Sequence, residues 1–292
     1  MAFWQLTVPI SPETSDGVTN FLWEQGALGV VEEEQPPGPP RLTAFFPESV
    51  SSTGLLRAVA EYRASLAALG FPVAAAEPEI APLRDEAWAS AWQQSFRPRA
   101  VGKRLLVVPP WEAAAAGADG RIAIVIEPGR AFGTGHHGST EGCLALLDER
   151  ADDIAGATLL DIGTGTGILA VAALKLGAAR AVAVDVDPDA VAAARANAAR
   201  NGCTDRFSVL VGGPEALDGA RFPLVLANLL GHTHLALAPV YPRLTAPGGR
   251  LILGGILADE DARVVDALAA AGFALERRLV LEGWSSLLLS AR

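Results

Sequence analysis

The sequence predicts an α/β protein in two domains. A mostly parallel, Rossmann-like sheet covered on both faces follows a small ferredoxin-like α+β domain. Three observations carry this. From Thr158 onward, apolar runs of strand length alternate with helical segments, the pattern of βα units. The first of those runs breaks into Asp161-Ile162-Gly163-Thr164-Gly165-Thr166-Gly167 before a helix, a turn that open α/β sheets use for nucleoside-containing ligands. Residues 1–80 read β-α-β-β-α-β, the order of a ferredoxin-like sheet with both helices on one face.

In chain order, residues 3–10 alternate as a strand does. Ser11-Pro12-Glu13 then offers a cap, a first-turn proline and an acid, which open a helix to about Gln25. Short strands at Leu28–Glu34 and Leu42–Phe46 flank the proline-rich turn 35–40, which no sheet interior tolerates. Ser52–Leu69 has helical periodicity, and Phe71–Ile80 is extended again. Residues 81–104 read as a linker. Within it Trp88, Trp92 and Phe96 form one helical stripe, ended by Pro98. The second domain spans 105–292. Leu105–Val108 and Ile122–Glu127 begin it as a pair of strands. Strands near 158–162, 180–185, 206–211, 222–228 and 249–254 alternate with helices, the last at about 259–271. The closing runs Ala274–Leu281 and Ser285–Ser290 lie one short turn apart, so they pair antiparallel.

Composition narrows the function classes. The 292 residues are half hydrophobic and carry a net charge of −10, which disfavours nucleic acid as a direct partner. Residues 1–80 hold ten acidic against three basic residues, so that region would attract a lysine-rich partner or simply be solvated. Two cysteines, Cys143 and Cys203, form no disulfide framework. The N-terminus lacks the basic and apolar blocks of a signal peptide. A reducing, cytoplasmic setting is expected. Phe222–Pro242 is 21 residues without a charge, but its prolines, Asn228, His232 and His234 suit a buried strand and helix better than a membrane span.

Three segments could carry chemistry. The glycine loop is the first, with Asp185 lying 22 residues beyond Gly163, where such folds place a carboxylate for ribose hydroxyls. The glycines stand at alternate positions, not in the G-x-G-x-x-G spacing of a dinucleotide loop. This Asp-x-Gly-x-Gly-x-Gly form resembles the cofactor loop of S-adenosylmethionine-dependent methyltransferases, as does the terminal antiparallel pair. Asp187 before Pro188 reads as a helix cap. The second segment, Glu127–Thr140, contains Phe132-Gly133-Thr134-Gly135 and can fold over a cofactor. Thr140 could cap the next helix, bond a cofactor carboxylate, or both. His136 and His137 suit shaping this loop better than holding a metal, since no Cys/His/Asp cluster lies beside them. The third is Asn228, an amide at the carboxyl end of an apolar strand. It could orient an amine or only stabilise its turn.

Together, Phe132-Gly133-Thr134-Gly135 with Thr140, Asp161–Ala170, Asp185–Pro188 and Ala227-Asn228-Leu229-Leu230 resemble the ribosomal protein L11 methyltransferase (PrmA) family. Glu86-Ala87-Trp88 with Trp92, Phe96-Arg97-Pro98, Pro109-Pro110-Trp111, Gly255-Ile256-Leu257 and Glu282-Gly283-Trp284 extend the likeness over the whole chain. The resemblance implies an S-adenosylmethionine-dependent methyltransferase domain, with no metal, behind a substrate-recognition domain and a flexible linker. It implies multiple methylation of lysine side-chain amines and the α-amine of ribosomal protein L11, free or on the ribosome. A monomer is expected, without nucleic-acid or membrane contacts. The family motif marks Thr140, Gly163, Asp185 and Asn228 as cofactor-contact positions. Phe132, Gly133, Thr134, Asp161 and Gly165 join them, and Asn228 is the catalytic candidate. Gly138 stands where the family has proline, which loosens the loop. The alternatives are the same chemistry on another protein or RNA, an NAD-dependent dehydrogenase, and a non-catalytic ribosome-binding module.

Overall fold

A computed structural model of the chain describes residues 2–27, 29–33, 40–84, 96–115, 120–129, 131, 133, 135, 137–217 and 219–292. Two compact units divide it, Met1–Arg97 and Pro98–Arg292.

The first unit holds β1 (Ala2–Pro9), α1 (Ser15–Glu24), β2 (Gly29–Glu33), β3 (Arg41–Pro47), α2 (Ser52–Ala68) and β4 (Glu79–Arg84). The sheet order is β2-β3-β1-β4, antiparallel at every step, as the ferredoxin-like reading requires. Alternation aims Leu6, Val8, Leu42, Ala44 and Phe46 at Val18 and Leu22 of α1 and at Leu55 and Val59 of α2. Ser51 caps α2 by accepting from the Gly54 N–H at 3.2 Å. The last strand lies later than its sequence signal. Residues 71–78 are irregular, and pairing with β1 runs from Glu79 to Arg84, past residue 80. The guanidinium of Arg63 explains the irregular stretch, because it donates to the carbonyls of Ala74 (2.5 Å) and Ala76 (2.8 Å). Those carbonyls are satisfied without a strand partner. The Trp88–Trp92 stripe of the linker helix lies outside the described residues.

The second unit opens with a three-stranded sheet, β5 (Arg99–Val101), β6 (Leu105–Val108) and β7 (Ile122–Val125). The expected strand pair is present and runs parallel, with β5 added antiparallel. Then follow α3 (Gly138–Glu149), β8 (Thr158–Ile162), α4 (Ile168–Lys175), β9 (Arg180–Asp185), α5 (Pro188–Arg200), β10 (Phe207–Val211), β11 (Phe222–Asn228), α6 (Gly231–Leu237), β12 (Thr245–Leu257), α7 (Asp261–Ala270), β13 (Phe273–Leu281) and β14 (Trp284–Ala291). The main sheet has the order β10-β9-β8-β11-β12-β14-β13. Strands β8 to β12 pair in parallel, and β14 inserts antiparallel between β12 and β13. The closing pair is therefore a hairpin whose second strand, not its first, joins the parallel core.

Period-two alternation gives the central strands β8, β11 and β12 two buried faces. Leu159, Leu224, Leu226 and Ile252 pack toward α3 and α4, while Leu160, Ile162, Val225, Leu251 and Leu253 pack toward Tyr241 and α7. The uncharged run 222–242 is thus a buried strand and a helix. No helix among the described residues is long and apolar enough to cross a membrane.

Leu226 is fully buried in the middle of β11. Leu226→Ala should cost this unit about 2–5 kcal/mol, read as a lower urea midpoint. A midpoint equal to that of the wild type would contradict the packing described.

Candidate functional site

Register places the site. Ala227 of β11 pairs with Ile162 of β8, Ile162 pairs with Val184 of β9, and Asn228 pairs with Gly254 of β12. One residue further along, Asp185, Gly163, Asn228 and Gly254 form a row across four neighbouring strands at the carboxyl edge. Strands lie about 4.8 Å apart, so Asp185 and Asn228 stand roughly 10 Å from each other on either side of the glycine turn. This is the crevice where open α/β sheets take ligands.

The turn is held from within. The N–H groups of Gly163 and Thr164 donate to Val184 O at 2.9 and 3.2 Å, and Gly167 N–H donates to Thr164 O at 2.8 Å. Gly165 N–H donates to Asp185 Oδ2 at 2.8 Å, and Asp185 Oδ1 accepts from Asp187 N–H at 3.0 Å. Asp185 therefore braces the loop as well as facing the crevice. Gly163 has φ +67, and a Cβ there would run into the side chain of Leu229. The bare face of this glycine is filled by the turn after Asn228.

Asp161 is buried beneath the loop and accepts from the Thr164 hydroxyl at 2.7 Å. Its Oδ1 has no hydrogen-bond partner among the described residues. Burial pushes its carboxyl up to about 7, against the opposing hydrogen bonds of Thr164 and the Ala170 backbone. Next to Asp185 the exposed apolar side chain is Val186, 77% accessible. Asp187 caps α5 by accepting from Asp189 N–H at 2.8 Å, as its spacing suggested.

The overlying segment is described at Ala131, Gly133 and Gly135. Phe132, Thr134 and His136 lie outside the described residues. The Thr166 hydroxyl donates to Gly133 O at 2.5 Å, so the segment is tied to the glycine loop. Asn197 of α5 joins the same junction. It donates to Thr166 O at 2.9 Å and accepts from Glu127 N–H at 3.0 Å. One turn on, Asn201 exchanges two bonds with the backbone of Val125. Sequence reasoning missed both. Their signal was two asparagines four apart in an alanine-rich helix, where asparagine is a poor helix former unless its amide has work elsewhere.

Thr140 does not cap α3. The helix begins at Gly138, and His137 is the cap, with Nδ1 3.4 Å from the Ser139 N–H and 2.8 Å from the Ser139 hydroxyl. The His137 ring also tilts against Trp284 at 4.7 Å. This histidine shapes the loop, as expected. Thr140 instead sits fully buried in the first turn and accepts from Asn228 Nδ2 at 3.1 Å. Gly138 is not slack. A Cβ there would lie 2.8 Å from Leu281 O and 3.2 Å from Glu282 Cβ. The β13–β14 turn closes directly onto this glycine, so the absence of proline is matched by tighter packing.

Asn228 Oδ1 is buried and has no hydrogen-bond partner among the described residues. It faces the glycine pair of β12, where a Cβ on Gly254 or Gly255 would lie 3.0 Å away. Two further buried groups line this region. Cys143 Sγ lies against Gly254, and its thiol is pushed up to about 12, chiefly by burial, so it packs and does not react. His234 donates to Gly254 O and accepts from Tyr241, with burial holding its imidazole down at about 4. It is neutral at working pH. Sequence reasoning passed over His234 and the Gly254-Gly255 pair. A glycine pair inside a strand was the available sign of a bulge. Among the described residues, no three His, Cys, Asp or Glu side chains group as metal ligands.

The arrangement offers a paired carboxylate with an apolar neighbour at one end, an unpaired amide carbonyl at the other, and glycine backbone between. Comparison with known proteins agrees over the whole length. The family model described as ribosomal protein L11 methyltransferase (PrmA) matches residues 2–292. The ribosomal protein L11 methyltransferase of Syntrophotalea carbinolica is 36% identical over 285 residues, covering 92% of each chain. That of Geobacter metallireducens is 42% identical over 218 residues, covering 75% of this chain and 71% of the relative. Among solved structures, the ribosomal protein L11 methylase of Lactobacillus delbrueckii subsp. bulgaricus superposes with a TM-score of 0.61 at 30% identity. It covers 68% of this chain and 98% of its own.

The raised Asp161 pKa has a consequence for stability. Between its ordinary 3.8 and about 7, the folded protein holds a proton that the unfolded chain has released. Stability from this group is complete below pH 3.8 and is lost as pH rises through about 7. Asp161→Asn removes that loss, on the order of 4 kcal/mol at alkaline pH. The variant should gain melting temperature over the wild type at pH 8.5 and gain much less at pH 5. An equal difference at both pH values would refute a buried, proton-holding carboxyl.

Proposed function

The chain belongs to the ribosomal protein L11 methyltransferase (PrmA) family, and on that premise we propose that it methylates ribosomal protein L11 with S-adenosylmethionine. The acceptors are lysine side-chain amines and the α-amine, each taken through several rounds. The observation that carries the reading is Asn228 Oδ1, a buried acceptor without a donor among the described residues, level with Gly163 and Asp185 at the carboxyl edge.

The residues present fit this cofactor better than a dinucleotide. A pyrophosphate needs free N–H groups at a helix start. Here the N–H groups of Gly163, Thr164, Gly165 and Gly167 are already donated, to Val184 O, the Asp185 side chain and Thr164 O, and the Asp185 carboxylate borders the turn. That surrounding suits a cation. It disfavours the dehydrogenase alternative.

Bound here, S-adenosylmethionine supplies an electrophilic methyl on a sulfonium, whose loss leaves a neutral thioether. The protein binds, orients and dries the site. Each Asp185 oxygen already accepts one backbone bond and has a lone pair left for a ribose hydroxyl. Val186 offers an apolar surface for a purine. Thr140 accepts from Asn228 and keeps its own hydrogen to donate to a carboxylate. Gly165 and Gly133 border the same crevice. Asn228 orients the incoming amine through its unpaired carbonyl. A lysine amine has a pKa near 10.4 in water, and a dry pocket lowers it by disfavouring the cation. Solvent then takes the proton, and no strong base is required. A single acceptor leaves the amine free to rotate between rounds.

We assign substrate recognition to the acidic first domain, residues 1–80 in the sequence reading, with β4 carrying it to Arg84. The sequence reading takes residues 81–104 as the linker, with β4 and β5 holding its two ends. The reading places a monomeric enzyme in the cytoplasm, acting on the protein free or on the ribosome, without direct nucleic-acid contacts.

Mass spectrometry of ribosomal proteins incubated with enzyme and S-adenosylmethionine should show gains of about 14 Da per methyl on L11. Gains on RNA or on another protein alone would replace the substrate. Asn228→Ala should lower kcat about 10–100-fold while cofactor affinity changes less than about threefold. Equal losses of both would make Asn228 a cofactor ligand only. A chain lacking residues 1–97 should still bind S-adenosylmethionine and fail to methylate L11. Retained methylation of L11 would reject the recognition role.

A further inference from the structure

Strand β12 breaks register beside the site. Its pairing with β14 slips between Leu253 and Ile256, and Gly255 has φ +75 there. A bulge of this kind bends its strand and re-aims neighbouring groups. Here a Cβ on either bulge glycine would lie 3.0 Å from the Asn228 carbonyl oxygen. A Cβ on Gly255 would also strike the Leu229 carbonyl. The bulge is the wall against which the Asn228 amide rests.

That wall is fastened by a buried polar pair. Gly254 O accepts from Leu229 N–H at 3.0 Å and from His234 Nε2 at 2.8 Å. A carbonyl can only accept, so Nε2 carries the imidazole proton. Nδ1 is then an acceptor, and it takes the Tyr241 hydroxyl at 2.8 Å. Both side chains are fully buried. Leu229 already satisfies the Gly254 carbonyl, so the histidine is not there to fill a vacant acceptor. Burying an imidazole and a phenol costs more than burying apolar side chains of the same size. What the pair adds is direction, since two donors on one carbonyl fix the peptide plane of the bulge.

We propose that His234, its tautomer fixed by the Gly254 carbonyl and its ring held in place by Tyr241, is a positioning residue that acts through Gly254 to set the Asn228 amide for methyl transfer. It touches neither the crevice nor solvent, so it is no base. The inference rests on the methyl-transfer reading above.

The test uses the full chain. Tyr241→Phe removes one hydroxyl at nearly constant volume and frees the imidazole ring from its anchor at Nδ1. It should lower kcat about tenfold, with cofactor affinity and the KM for L11 within about twofold of the wild type. His234→Leu should lower kcat further. His234→Gln, whose amide N–H can reach Gly254 O, should recover kcat to within about threefold of the wild type. In nitrogen-15-labelled protein, the Asn228 side-chain NH₂ pair is assigned by its loss in Asn228→Asp. That pair should shift in Tyr241→Phe and His234→Leu, and stay near its wild-type position in His234→Gln. Folded Tyr241→Phe with wild-type kcat and an unshifted pair would overturn the proposal. So would losses of kcat and cofactor affinity in parallel without a shift of the pair, the mark of a purely structural histidine. Should His234→Leu fail to fold, Tyr241→Phe and His234→Gln decide alone. If the wild type transfers no methyl to any acceptor, the methyl-transfer reading fails, and the NH₂ shift still judges the positioning.

Discussion

The level carboxyl edge of β9, β8, β11 and β12 is the constraint on which the site depends. Parallel strands buried on both faces have no freedom to slide, because a one-residue slip turns every core side chain to the wrong face. Leu159 and Leu160 pack into opposite cores, as do Val225 and Leu226. That register delivers Asp185, Gly163, Asn228 and Gly254 to one row. The core therefore positions the crevice, and the loops above it need only finish the enclosure.

Around that row, polar groups are placed where burial is costly. Asp161 retains its proton near neutrality, His234 remains uncharged, and Asn228 Oδ1 goes without a donor. Among the described residues, Asp161 Oδ1 and Asn228 Oδ1 depart from the rule that buried polar groups are paired, whereas His234 keeps it through both ring nitrogens. Such departures gather at functional sites. Here they share one region, beneath and beside the glycine turn. The surrounding bonds of Thr164, Thr166, Asn197 and Tyr241 hold these groups in place without satisfying them all.

Much of this was legible before folding. Strand-length apolar runs at 158–162, 180–185 and 222–228 coincide with β8, β9 and β11, since fully buried strands leave long hydrophobic runs. Asp185 and Asn228 stood out as polar residues at the ends of such runs. Less legible were features whose cause lies far away in sequence. β4 begins at Glu79 because Arg63 claims the carbonyls before it. The cap of α3 falls to His137 and not Thr140, because Thr140 is claimed by Asn228, 88 residues on. Asn197, Asn201 and His234 make their bonds to backbone atoms that no local pattern connects to them.

Local periodicity and short motifs were enough to read the fold class, the glycine turn and the family. Only the tertiary structure decided where β14 inserts, which residue caps α3, and why Gly138, Gly163 and Gly255 lack side chains. The physical reason is the same in each case. Strand order, close approach and hydrogen-bond ownership are settled by competition among groups distant along the chain. That competition has an outcome only once the core has closed.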